Sequence, residues 1–180
     1  MATTAVVDEI RYPVGEFRID PEITPQKRKM WIKQMTEAPS KLRTAVLGLS
    51  EEQLNTRYRN DGWTLRQVVH HLADAQLNGF TRFKLALTED RPAIKTYEED
   101  LWSETADGRI APVNLSVDLL AALHARWIIL LESLTEREFA RTFRHPQRGE
   151  LRIDDAIQLY AWHGIHHTAH ISKLRDRKDW

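Results

Sequence analysis

The chain has 180 residues, 42% of them hydrophobic, enough for one core of domain size and short for two. Its 26 basic and 26 acidic side chains cancel and are spread along the whole length, which disfavours nucleic acid and anionic membrane as partners. Cysteine is absent, so disulfides, thiolate nucleophiles and sulfur metal ligands are excluded, and any metal must be held by His, Asp or Glu.

The start, MATTAVVDEIRYP, lacks a basic segment followed by an apolar one, and no apolar run approaches the ~20 residues of a membrane span. A soluble cytoplasmic protein is expected. Pro13, Gly15 and Pro21 break residues 1–24 into an extended arm lying on a single domain that covers residues 1–180. Pro25 after Thr24 suits the first turn of a first helix reaching about Leu49. Ser50 then caps a short turn, Glu51 to Leu54, and the loop YRNDG ends at Gly62. Thr64 is a good N-cap for a long second helix through residue 89, with Leu65, Val68, Leu72, Ala75 and Phe83 on its apolar side.

Residues 89–115 carry Pro92, Gly108 and Pro112 and no sustained period, which predicts a long, functional crossover between the second and third helices. Ser116 is expected to open the third helix, whose stripe is Leu119, Leu120, Leu123, Trp127, Leu130 and Leu134. A helical turn at LTEREF and a loop or small hairpin at RTFRHPQRGELRI lead to a fourth helix, from about Ile153 to Arg175. Four helices, each with one apolar stripe, make an all-α four-helix bundle, a fold that builds metal sites from side chains projecting inward.

Four of the eight histidines fall within WHGIHHTAH on the fourth helix. At about 100° per residue, His167 lies about 40° and His170 about −20° from His163, all on the stripe with Ala156 and Leu174, while His166 sits at its edge near −60°. The i, i+4 pair His163 and His167 can converge on one ion. A third ligand is offered by the second helix, where His71 lies about −60° from Val68, and His70, near 200°, faces the far side. His71, His163 and His167 are therefore the predicted ligands of one divalent ion. Three imidazoles without sulfur suit zinc or nickel and leave coordination positions open for chemistry. An ion held so acidifies bound water or a bound thiol, so hydrolysis and thiol transfer both fit.

Asn78 and Arg82 follow His71 along its helix, where an arginine can hold a substrate carboxylate, although a solvated helix position is the simpler reading of Arg82. Asp74 and Glu104 are candidates for a base or for orienting an imidazole. The tryptophans Trp63, Trp102, Trp127 and Trp162 read as packing, with Trp102 the best pocket wall, and His124 and His145 as structural or exposed.

The segments GWTLRQVVHHLADAQLNGFTRFKLALTEDRPAI and LYAWHGIHHTAHI resemble the DinB superfamily, specifically its YfiT-like branch, and RYPVGEF, LHARWIILLESLTEREF and FRHPQRGE extend the resemblance over essentially the whole chain. It implies a bundle of up-down-down-up order, one divalent ion held by three histidines, and a homodimer. Carried over residue by residue, those histidines are His71, His163 and His167; many members have Gln where this chain has His170. The branch is generally described as metal-dependent hydrolases, while relatives in the wider superfamily transfer or isomerise using a low-molecular-weight thiol such as bacillithiol or mycothiol, and a small-molecule substrate is expected for this chain. The expected function is a metal-dependent hydrolase using water, with a bacillithiol S-transferase and a non-catalytic metal-binding stress protein as alternatives. DNA binding is disfavoured by the neutral charge balance.

Overall fold

The computed structural model describes residues 9–180, so the first eight residues of the expected arm lie outside the description. Four long helices dominate: α1 (Pro25–Val46), α3 (Leu65–Thr88), α6 (Val113–Glu132) and α8 (Ile153–Lys178). Short helices α2 (Glu51–Leu54), α4 (Glu99–Ser103), α5 (Ala106–Ile110) and α7 (Glu136–Phe139) sit in the connections, and strands β1 (Thr142–His145) and β2 (Gly149–Arg152) pair as an antiparallel hairpin before α8.

Helix starts follow the capping chemistry of the sequence. Ser50 with Gln53, and Thr64 with Gln67, form reciprocal capping boxes, each satisfying two otherwise unpaired amides. The first helix ends at Val46, short of the expected Leu49, because the chain turns at Leu47 and Gly48 has φ of 77°. The third bundle helix begins at Val113 directly after Pro112, not at Ser116. Ser116 is spent inside that helix, where its hydroxyl lies 2.7 Å from His70 Nδ1. The crossover is also more ordered than its lack of period implied: α4 and α5 fold against α3.

Contacts between named residues give the direction of each helix. Arg28 meets Asp154 near the starts of α1 and α8, and Arg175 meets the Ala45 carbonyl near their ends, so these two run parallel. His71 faces His167 while Phe83 faces Tyr160, so α3 is antiparallel to α8. Met35 meets His124 and Arg43 meets Asp118, which sets α6 antiparallel to α1 and parallel to α3. The order is up-down-down-up, and the ordered crossover is what carries the chain back to the end of the bundle where α1 finishes and α3 begins.

The core has two parts. Trp127, Phe83, Tyr160, Ile157 and Met35 fill the end near the hairpin, while Leu42, Leu65, Val68, Leu72, Leu120 and Ile171 fill the other. The expectation that no helix could match a membrane span is corrected by α6, which is long and apolar enough in composition. Its Leu120, Leu123, Trp127 and Leu131 are buried in the bundle, while Leu115, Leu119 and Ile129 remain exposed on the other side.

Residues 9–24 cross the outside of α8. Asp20 and Gln158 exchange backbone and side-chain hydrogen bonds, Trp162 Nε1 donates to the Gly15 carbonyl, and Lys173 Nζ donates to the Pro13 carbonyl.

Candidate metal centre

The i, i+4 spacing on α8 and the inward angle on α3 bring His71, His163 and His167 together at the α3–α8 seam. One ring nitrogen from each lies within 4.8 Å of the other two. The Nε2 atoms of His71 and His163 are 3.3 Å apart, and His167 stands edge-on to both rings. Burial holds all three imidazoles neutral: His71 is pushed down to about 3, and His163 and His167 fall well below the ordinary histidine value, with their mutual proximity adding to the effect. Neutral rings keep a lone pair for a cation. Among the described residues, Nδ1 of His163 and of His167 is buried without a hydrogen-bond partner. Three convergent nitrogen donors with no cysteine and no carboxylate among them fit a borderline ion such as zinc or nickel.

Trp63, at the mouth of α3, covers this cluster. Its ring lies 4.4 Å from His71, and its Nε1 donates to Asp100 Oδ1 at 3.1 Å, tying the lid to α4. The crossover is pinned at a second point by Gln67, whose Nε2 donates to Ser103 O and to Glu104 Oε1. Glu104 thus positions the crossover and touches none of the histidines, contrary to its candidacy as their orienting partner. Sequence reading favoured Trp102 as the pocket wall; Trp102 does line a cavity of about 520 Å³ with Asn78, Tyr97 and Leu101, but Trp63 is the indole against the imidazoles. Its place immediately before the Thr64 cap was the available signal. A larger groove of about 760 Å³ beside Arg28 and Phe139 contains no histidine.

His70 faces away from the cluster as its angle required, yet it is buried. Its Nε2–H donates to the Ala111 carbonyl and its Nδ1 accepts from Ser116, which locks α3 to the end of the crossover and to α6. His124 and His145 are buried too. The edge residue His166 and the shell candidate His170 lie closer to the centre of events than expected: with His167 they form a second group of mutually close donors.

Along α3, Asp74 is half-buried, and desolvation, with Asp107 nearby, raises its carboxyl to about 6. Asn78 Nδ2 donates back to the Asp74 carbonyl. Arg82 Nη1 donates to Tyr160 Oη at 3.0 Å and makes no ion pair among the described residues. Gly79 permits this meeting, since a Cβ there would lie 2.5 Å from the Tyr160 ring.

The sequence pattern of the DinB superfamily matches residues 34–171 of this chain. The chain belongs to the DinB superfamily. Among its relatives, this DinB protein is 47% identical over 174 residues to a candidate metal-dependent hydrolase of Bacillus cereus, covering 97% of this chain and 100% of the relative. It is 48% identical over 170 residues to another of Oceanobacillus iheyensis, covering 94% and 98%. The solved structure of YfiT from Bacillus subtilis, described as a probable metal-dependent hydrolase with an unusual four-helix bundle topology, superimposes with a TM-score of 0.93 at 44% identity, over 96% of this chain and 99% of YfiT. This DinB bundle therefore shares the YfiT fold, including the helix order read from its contacts.

Proposed function

We propose that the protein is a metal-dependent hydrolase in which His71, His163 and His167 hold one zinc or nickel ion. The observation that carries this reading is the convergence of three neutral, buried imidazoles from two helices, with donor atoms within 4.8 Å. A divalent ion there would supply Lewis acidity, polarising an electrophilic group and acidifying water. The names of the Bacillus and Oceanobacillus relatives support the same class.

The chain's own residues set the rest. Trp63 limits water access to one side of the cluster and strengthens every charge interaction beneath it. Asp74, one turn from His71 and with its carboxyl at about 6, exchanges a proton near neutral pH, as a general base must. Arg82, without a carboxylate partner among the described residues, leaves guanidinium donors for an anionic substrate group, and Tyr160 steadies it. The substrate is a small molecule carrying such a group.

Elemental analysis tests the ligand set. His163→Ala is expected to lose its metal and His70→Ala to keep it; equal content in wild type and His163→Ala would sink the assignment. Turnover of small carboxylate-bearing esters and amides should require added zinc or nickel and fall at least ~100-fold in Asp74→Asn. Metal-dependent conjugation of bacillithiol to monochlorobimane without any ester or amide turnover would replace hydrolysis by thiol transfer.

The exposed Leu115, Leu119 and Ile129 on α6 support a homodimer joined through that face. Sedimentation should give a dimer for the wild type and a monomer for Leu119→Asp; an unchanged dimer would place the interface elsewhere.

A further inference from the structure

His166, His167 and His170 lie on consecutive turns of α8, and one donor nitrogen from each is within 4.8 Å of the others. All three side chains are more than nine-tenths buried, with exposures of 6%, 9% and 3%. Their Nδ1 atoms are nevertheless all without a hydrogen-bond partner among the described residues. An unpaired buried nitrogen costs about 1–3 kcal/mol, so three side by side are expensive as packing alone.

The tautomer of His170 sharpens the point. Its Nε2 faces the Arg11 carbonyl at 3.1 Å, and a carbonyl only accepts, so Nε2 carries the proton and Nδ1 carries a lone pair. That N–H to carbonyl contact is the kind that orients a ligating imidazole from its far side. Tyr58 stacks on the same ring at 4.1 Å, and Trp162 stacks on His166 at 4.3 Å, so aromatic walls fix both rings. His166 and His170 meet edge to face at 4.4 Å, and His166 and His167 at 4.9 Å. Among the described residues no carboxylate shares the group.

We propose that His166, His167 and His170 hold a second divalent transition-metal ion, bridged through the His167 ring to the ion at His71 and His163. His167 gives one ring nitrogen to each ion, and its ring proton is released to solvent when the second ion binds. An all-imidazole donor set selects zinc, nickel or copper over calcium or magnesium. The arm takes part, because the Arg11 carbonyl sets the His170 ring. The proposal rests on the three-histidine reading only through the shared His167.

Metal-free full-length protein titrated with Co²⁺, followed by equilibrium dialysis and visible absorption, tests it. Two ions per chain are expected for the wild type and one for His170→Ala. His166→Gln, a milder change, must also lose only the second ion; retention of both would overturn the site. With Cu²⁺ in place of Co²⁺, the wild type should show the magnetic coupling of ions sharing an imidazolate, and His170→Ala an isolated-ion spectrum. Saturation of the wild type at one ion overturns the second site and leaves the first standing, whereas no binding at all overturns both. Two uncoupled ions overturn the bridge.

Discussion

At the scale of single residues, the site depends on small groups that admit large ones. Gly79 is the clearest case: a Cβ at this position would lie 2.5 Å from two Tyr160 ring atoms and 2.7 Å from Trp127 Cη2, and Trp127 is fully buried and unable to retreat. Gly79→Ala is therefore expected to lower stability by about 1–3 kcal/mol in urea unfolding and to pull Tyr160 Oη away from Arg82. A loss below about 0.5 kcal/mol would mean that the ring is not seated over the α3 backbone. The helical angles of the sequence were enough to turn His71 inward and His70 outward, because those depend only on helix period. They were not enough to show that His70 is buried, since one group that covers it, the Ala111 carbonyl, comes from a crossover with no periodicity to read, and the other, Ser116, reads as a cap rather than as a residue inside α6.

At the scale of elements, the bundle is joined by polar contacts that the apolar stripes do not announce. Pro39 lies within α1 and has no N–H to give to the Met35 carbonyl four residues back. His124 of α6 fills the gap, donating from Nδ1 to that carbonyl at 2.7 Å, while Gln76 of α3 packs against its Nε2 at 3.3 Å. His124→Ala should cost about 2–3 kcal/mol by leaving the buried carbonyl unpaired. In a Pro39→Ala background, where the helix can bond its own carbonyl, the same change should cost at least about 1 kcal/mol less, and additive effects in that double-mutant cycle would refute the link. Arg28 plays a comparable part at the other end, with a bidentate bond to Asp154 and a second partner in Glu136, joining α1, α7 and α8. Element positions were legible because caps such as Ser50 and Thr64 are local chemistry. The start of α6 was misplaced because Pro112 opens that helix with no side-chain cap, whereas Ser116 looks like one.

At the scale of the whole molecule, burial of histidine couples the fold to pH. All eight histidines have their pKa lowered, in each case chiefly by desolvation, with His71 and His166 down to about 3 and His170 to about 4. An unfolded chain takes up protons on these rings as pH falls through about 6.5, while the folded chain does not, so stability present above that value is lost on acidification toward the folded values. Asp74 acts in the opposite sense: its raised carboxyl makes the folded state bind a proton more tightly between its ordinary value and about 6, which adds stability as pH falls. One half-exposed carboxyl is outweighed by several enclosed rings, each worth about 2 kcal/mol between about pH 7 and about pH 5 when it stays neutral throughout. Urea midpoints measured in chelator should thus drop steeply over this interval, and saturating zinc should raise the midpoint at pH 5 as well as at pH 7, because the folded rings keep their lone pairs at both. A midpoint indifferent to pH would mean that the rings take up protons as readily in the native state as in the unfolded one, so that burial does not keep them neutral, and an imidazole whose nitrogens are both protonated has no lone pair left for an ion.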